Sequence, residues 1–183
     1  MWLVMWVLLL GVGSALAQEA GEIVSVLGVA EVLREDRWQA VGAGEKLAAG
    51  EVVRAGADSR IAIQLENGSQ LKLNAGSQLE LKAVTPPSGG VSPASSGLAH
   101  TILRFLGGEM WVRSVGEPLE VQTVPATATI RGTEFGLAVD PGDLARLAVL
   151  EGVVEFSNPQ GNVLVAANEQ ATAKAGEAPR KTV

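Results

Sequence analysis

Reactive side chains work in groups, and this sequence supplies few candidates for a group. Among its 183 residues there is one histidine, His100, and no cysteine. A thiolate nucleophile, a disulfide and a thiolate metal site are excluded, and a single imidazole cannot build a multi-histidine metal site within one chain. Without a nucleophile and an orienting group beside it, His100 reads as a surface or structural residue. Four carboxylates, Glu31, Glu109, Glu151 and Glu155, stand at or beside segments that open with glycine. Paired acids at a suitable separation hydrolyse glycosides. At period two, however, Glu31 and Glu155 fall between apolar neighbours, where a solvent-facing charge discourages sheet aggregation. Asp140-Pro141-Gly142-Asp143 is acidic but lacks the further oxygen ligands of a calcium loop. It reads as a hairpin turn, with Pro and Gly supplying the dihedrals. No glycine-rich phosphate loop precedes a helix. These residues predict a protein that is not an enzyme and uses no cofactor or metal.

The binding classes narrow in the same way. Lys+Arg 14 against Asp+Glu 20 gives a formal net charge of −6, the wrong balance for a nucleic-acid surface. Aromatic residues are 4% of the chain, and beyond the N-terminal apolar run the tryptophans are Trp38 and Trp111. That is sparse for a sugar platform or a base-stacking surface.

The elements that would position these residues are strands. Ile61, Ile63 and Leu65 alternate with Ala62, Gln64 and Glu66, and Asn67-Gly68 follows as a hairpin signal whose two residues both tolerate positive φ. Leu71 with Leu73 and Leu79 with Leu81 continue the alternation, predicting a three-stranded meander. The same grammar recurs from Ile23 to Phe156 and again over Val163 to Ala166, with a brief helical possibility around Ser96 to Phe105. A faint repeat is visible where Gly28, Gly108 and Gly152 each open a strand. Units this short cannot bury their own apolar faces and must stack. The fold expected is all-β, either a two-layer sandwich or a short irregular β-solenoid.

Trp2 to Val12 is an unbroken apolar run followed by Ala15-Leu16-Ala17, the pattern of a signal peptide cleaved after residue 17. It is short for a membrane span of about 20 residues, although an uncleaved anchor is the rival reading. The expected organisation is a signal helix over 1–17 and a single β domain over 18–173. A flexible Ser/Gly/Pro loop lies inside it at 85–97, and a disordered tail follows over 174–183. Export predicts a periplasmic or secreted protein with no membrane span after cleavage.

The stretch from Thr123 to Phe135 holds Pro125, Arg131, Gly132, Thr133 and Glu134 in close order. It reads as a structural corner, with Arg131 and Glu134 placed to pair across the bend. Together with Gly28-Val29-Ala30-Glu31-Val32, Trp38-Gln39-Ala40-Val41, Gly50-Glu51-Val52-Val53-Arg54, Asn67-Gly68-Ser69 and Leu150-Glu151-Gly152-Val153-Val154, it resembles the FecR domain. The resemblance implies family-motif residues of structural role at Trp38, Gly50, Asn67, Gly68, Arg131, Gly132, Thr133, Glu134, Phe135 and Gly152. It also implies a signalling module: the best-studied relatives are inner-membrane regulators of iron uptake whose periplasmic part receives a signal. With no cytoplasmic segment before the apolar run and no further domain after the FecR-like region, the sequence predicts a stand-alone extracytoplasmic module. Its expected partner is another envelope protein, with a carbohydrate- or peptidoglycan-binding scaffold as the alternative.

Overall fold

The computed structural model describes residues 18–83 and 101–182. Among them there is no helix and there are 17 strands. The first part carries β1 (Glu19–Leu27), β2 (Ala30–Arg34), β3 (Arg37–Val41), β4 (Lys46–Ala48), β5 (Val52–Ala55), β6 (Arg60–Leu65), β7 (Gln70–Leu73) and β8 (Gln78–Ala83). The second carries β9 (Thr101–Arg113), β10 (Leu119–Gln122), β11 (Thr127–Ile130), β12 (Glu134–Val139), β13 (Leu144–Glu151), β14 (Val153–Asn158), β15 (Gly161–Ala166), β16 (Gln170–Lys174) and β17 (Arg180–Thr182). The expected signal helix over 1–17, the loop over 85–97 and His100 lie outside the described residues.

Alternation does what period two requires. In β6, Ile61, Ile63 and Leu65 are buried while Arg60 is exposed and Ala62 and Gln64 are half-buried. In β12, Phe135, Leu137 and Val139 are buried between half-buried neighbours. Each strand thus has one face that must leave water.

Backbone pairing sorts the strands into two ladders. The first runs β4-β1-β6-β7-β9-β12-β13-β16-β17. The second runs β3-β2-β5-β8-β9-β10-β11-β14-β15. Only the β9–β10 pairing is parallel among the described strands, so the whole is an open mixed sheet. From β10 onward the chain alternates hairpin by hairpin: β10–β11 and β14–β15 join the second ladder, β12–β13 and β16–β17 the first. Apolar faces from both ladders meet in one core that includes Phe105, Phe135 and Phe156.

β9 belongs to both ladders. Its first stretch, to Gly107, pairs with β8 and β10; from Gly108 it pairs with β7 and β12. The crossing is made at Gly108, with φ of 93°. A Cβ there would stand 2.6 Å from the Ser77 Cα, so only glycine allows the approach.

Several expectations are corrected. The meander does not form, because β8 leaves β7 and pairs with β5 and β9 in the other ladder. The helical possibility fails over residues 101–105, which belong to β9. Asn67 and Gly68 sit in a wider turn in which Gly68 alone has positive φ, 87°. The tail is not disordered over 174–182: β17 pairs with β16, and Lys181 forms an ion pair with Glu169.

Candidate functional site

The family-motif residues fold into a corner held by short-range polar contacts. Gly132 takes φ of 63° and turns β11 toward β12. Thr133, only 2% exposed, donates its N–H to the Ser114 hydroxyl at 2.9 Å. Its carbonyl accepts from the Ser114 N–H at 2.9 Å. Phe135 follows as a fully buried core residue. Glu134 does not pair with Arg131 as expected. Its carboxylate accepts the Trp111 indole N–H at 3.1 Å, and the Arg131 guanidinium donates to the Gly116 carbonyl at 3.2 Å. Arg131 precedes the positive-φ bend at Gly132 and Glu134 opens β12 after it, so the two do not share one strand face.

A second motif segment reaches the same corner. Asn67 is buried; its side-chain carbonyl accepts the Ser69 N–H at 2.9 Å and its amide donates to Thr101 Oγ1 at 2.9 Å. The Ser69 hydroxyl then accepts the Val115 N–H at 3.3 Å. The turn at 66–69, the loop at 114–116 and the corner at 131–134 are thereby tied into one unit. A pocket of about 260 Å³ opens there, lined by Arg113, Ser114, Gly116, Gly132, Thr133 and Glu151. Gly152 also arrives, at φ of 87°, with its missing Cβ 2.9 Å from Thr133 Cγ2. Trp38 and Gly50 stand apart: Trp38 is in β3, and Gly50 enters β5 with its N–H on the Leu81 carbonyl at 2.7 Å.

Of the three glycines expected to open strands, Gly28 and Gly152 precede β2 and β14 whereas Gly108 lies within β9, and all three pack on a hydroxyl residue. Gly28 packs on Ser59, Gly108 on Ser77 and Gly152 on Thr133. In the first two, the serine hydroxyl accepts the N–H of the residue after the glycine, from Val29 at 2.9 Å and from Glu109 at 2.9 Å. In the third, the threonine turns its methyl to the glycine and its buried hydroxyl has no partner. Sequence reasoning found the glycines and missed the serines. Their signal is a serine ending a turn just before an alternating strand, as in Ala57-Asp58-Ser59 and Ala75-Gly76-Ser77.

No catalytic set assembles among the described residues. Glu31 pairs with Arg54, Glu109 accepts from Asn74, and Glu155 accepts from Asn162. None of the four carboxylates shares a hydrogen bond or ion pair with another. No described cluster of His, Cys, Asp and Glu suits a metal ion. Asp140-Pro141-Gly142-Asp143 is the turn joining β12 to β13, clamped by Arg146 on both Asp140 oxygens at 2.7 Å. Each described tryptophan has a cation over one ring face: Arg54 lies 3.8 Å from the Trp38 ring centroid and Lys72 lies 4.4 Å from that of Trp111.

The open ends of the ladders differ in charge. Near β3, Arg34 binds Glu51 at 2.5 Å and Glu45 at 2.6 Å, contacts that hold its guanidinium firmly protonated. Arg54 keeps the Glu31 carboxyl below the usual carboxylate range, and Lys46 does the same for Glu19. At the far end of the second ladder, β15 reads Gly161-Asn162-Val163-Leu164-Val165-Ala166, without charge or proline, and Leu164 is 61% exposed. β15 has β14 as its sole partner strand. Such an edge carries neither charge nor proline, two of the usual devices against pairing with another chain, although the loop at Ala178 lies against its first residue, Gly161.

The comparisons agree with this architecture. The FecR protein family matches residues 51–155, more than half of the chain. No curated protein matches. Two crystal structures from Parabacteroides distasonis ATCC 8503, both of a protein assigned as an anti-sigma factor, share the fold. The 1.65 Å structure superposes with a TM-score of 0.57 at 20% identity, covering 72% of this chain and 58% of that one. The 2.50 Å structure gives 0.56 at 21% identity with the same coverage, 72% and 58%. The chain therefore spans 58% of the length of those structures. The match spans the Gly152 joint and the Arg131-Gly132-Thr133-Glu134-Phe135 corner, and on it this chain belongs to the FecR protein family.

Proposed function

We propose that this protein is a non-enzymatic signalling module of the bacterial envelope, exported by its N-terminal segment and acting by contact with another protein. The observation that carries the reading is the uncharged open edge of β15. An incoming strand would find aligned backbone donors and acceptors there, with Leu164 beside them. The FecR family membership supports a regulatory role, and among the described residues Glu31, Glu109, Glu151 and Glu155 do not meet as an acid–base pair poised for hydrolysis. The carbohydrate reading has less support, because the cations over Trp38 and Trp111 take ring faces that a sugar would stack on.

The test uses a photo-crosslinking amino acid at Leu164 in the full chain, expressed in its own host. A discrete protein adduct from that position, and none from Gln39 on the charged edge β3, is the expected result. Equal labelling from both positions, or none from Leu164, would overturn the reading.

A further inference from the structure

A relay by contact needs a second surface, and the outer face of the first ladder offers one with different chemistry. β1 runs beside β4 only as far as Ile23. A bulge between Ile23 and Ser25 then changes its register against β6. Val24, in the bulge, and Leu27, beyond it, are 50% and 64% exposed. Between Leu27 and β7 lies a trough of about 430 Å³, lined by Ser25, Val26, Leu27, Ala62, Arg60 and Lys72 among others. Its floor is small and apolar, and its rim carries two cations.

Half of the chain's 14 Lys and Arg have a carboxylate partner among the described residues, and these two belong to the other half. Arg34, Lys46, Arg54, Arg104, Arg146, Arg180 and Lys181 all have carboxylate partners. Arg60 has no ion pair among the described residues, and Lys72 has only the Trp111 ring. The register places Ala62 opposite Lys72, with Arg60 two residues back on the same face. Arg60 and Lys72 are thus diagonal neighbours, about 7–8 Å apart at their Cα atoms. A carboxylate set between the two side chains would be attracted by both. Asp58 and Glu109 line the adjoining pocket with Arg60 but pair with neither cation.

We infer that this trough docks an extended segment of a partner protein in which an acidic residue adjoins an apolar one. The carboxylate lies between Arg60 and Lys72, and the apolar side chain rests on Leu27 and Ala62. The trough is shallow, so a small amphiphile would stay largely in water, whereas a protein segment brings its own cover. The inference rests on the protein-contact reading above but uses a different surface.

The test is a titration of the ¹⁵N-labelled full chain with the capped peptide acetyl-Leu-Asp-Val-Asp-Leu-amide. The matching peptide with Asn for Asp, and sodium decanoate, serve as the other arms. Saturable amide shifts at Leu27, Arg60, Ala62 and Lys72 with the Asp peptide are expected. Binding should weaken about 10-fold with the Asn peptide, and about 10-fold in the Arg60→Gln/Lys72→Gln double variant, as two exposed ion pairs would give. An unchanged melting temperature would show that the variant still folds. Equal binding of the Asn peptide, shifts confined to other residues, no saturation, or preference for decanoate would each overturn the inference. A crosslink from Leu164 with no response at the trough would sink this surface alone and leave the β15 reading standing.

Discussion

The joint at Gly108 and the joint at Gly152 do the same mechanical job under different chemistry. Gly108 lets β9 pass from one ladder to the other, and the Ser77 hydroxyl pins the crossing from both sides. It accepts the Glu109 N–H at 2.9 Å and donates to the Glu109 carbonyl at 2.7 Å. Gly152 separates β13 from β14 across the same change of ladder, yet Thr133 gives it only a methyl contact. Its hydroxyl, buried without a partner, is a cost the Ser77 joint does not carry. The comparison teaches that the crossing in mid-chain is locked, while the family-motif corner is held by packing and by its bonds to Ser114.

Breaking the two joints should therefore hurt unequally. Gly108→Ala forces a Cβ against backbone, 2.6 Å from Ser77 Cα, at a φ of 93°. A loss of about 3–5 kcal/mol is expected, from strain and overlap together. Urea unfolding that moves by less than about 1 kcal/mol would show that the crossing yields. Gly152→Ala meets a side-chain methyl at 2.9 Å instead, and should cost about 2 kcal/mol, mostly backbone strain. Adding Thr133→Ser removes that methyl, so the double variant should recover part of the loss. Strict additivity in the cycle would mean that the two residues are not in contact.

Ser77→Ala sharpens the contrast from the polar side. It strips the Glu109 N–H of its partner, while the Glu109 carbonyl keeps the Asn74 N–H at 2.9 Å, and a loss of about 1–2 kcal/mol follows. Faster hydrogen exchange at Glu109 would localise the effect. Unchanged exchange there would show that the hydroxyl does not close the joint.

How much of this could be read from residues alone follows from what pattern encodes. Alternation in β6, β12 and β14 names the buried face, because a side chain's side is a local property. It does not name the neighbour, so the departure of β8 from β7 to the second ladder was illegible. β9 looked like two separate pieces because Gly107-Gly108 interrupts its alternation where it changes ladder. β17 was missed since Arg180, Lys181 and Thr182 are all exposed, leaving no apolar face to announce a strand. The corner at 131–135 was legible as a bend from Gly132, but its ties were not. Ser114 and Ser69 meet it from distant positions, and the expected Arg131–Glu134 pair gives way to the Gly116 carbonyl and the Trp111 indole, which pattern does not show.

The smallest effect decides most about the corner. Thr133→Val keeps the shape of the side chain and its methyl against Gly152, and replaces only the hydroxyl. At Ser77 the loss of a hydroxyl is costly because the Glu109 N–H depends on it; at Thr133 no described group does. Removing an unpartnered buried hydroxyl without opening a cavity should leave stability within about 0.5 kcal/mol of the parent, or raise it by up to about 1 kcal/mol. A calorimetric melting curve is the measurement. If Thr133→Val instead loses as much as Ser77→Ala, then the threonine hydroxyl is bonded in solution as the Ser59 and Ser77 hydroxyls are. The third joint would then be closed like the others, and the contrast between the locked crossing and the motif corner would disappear.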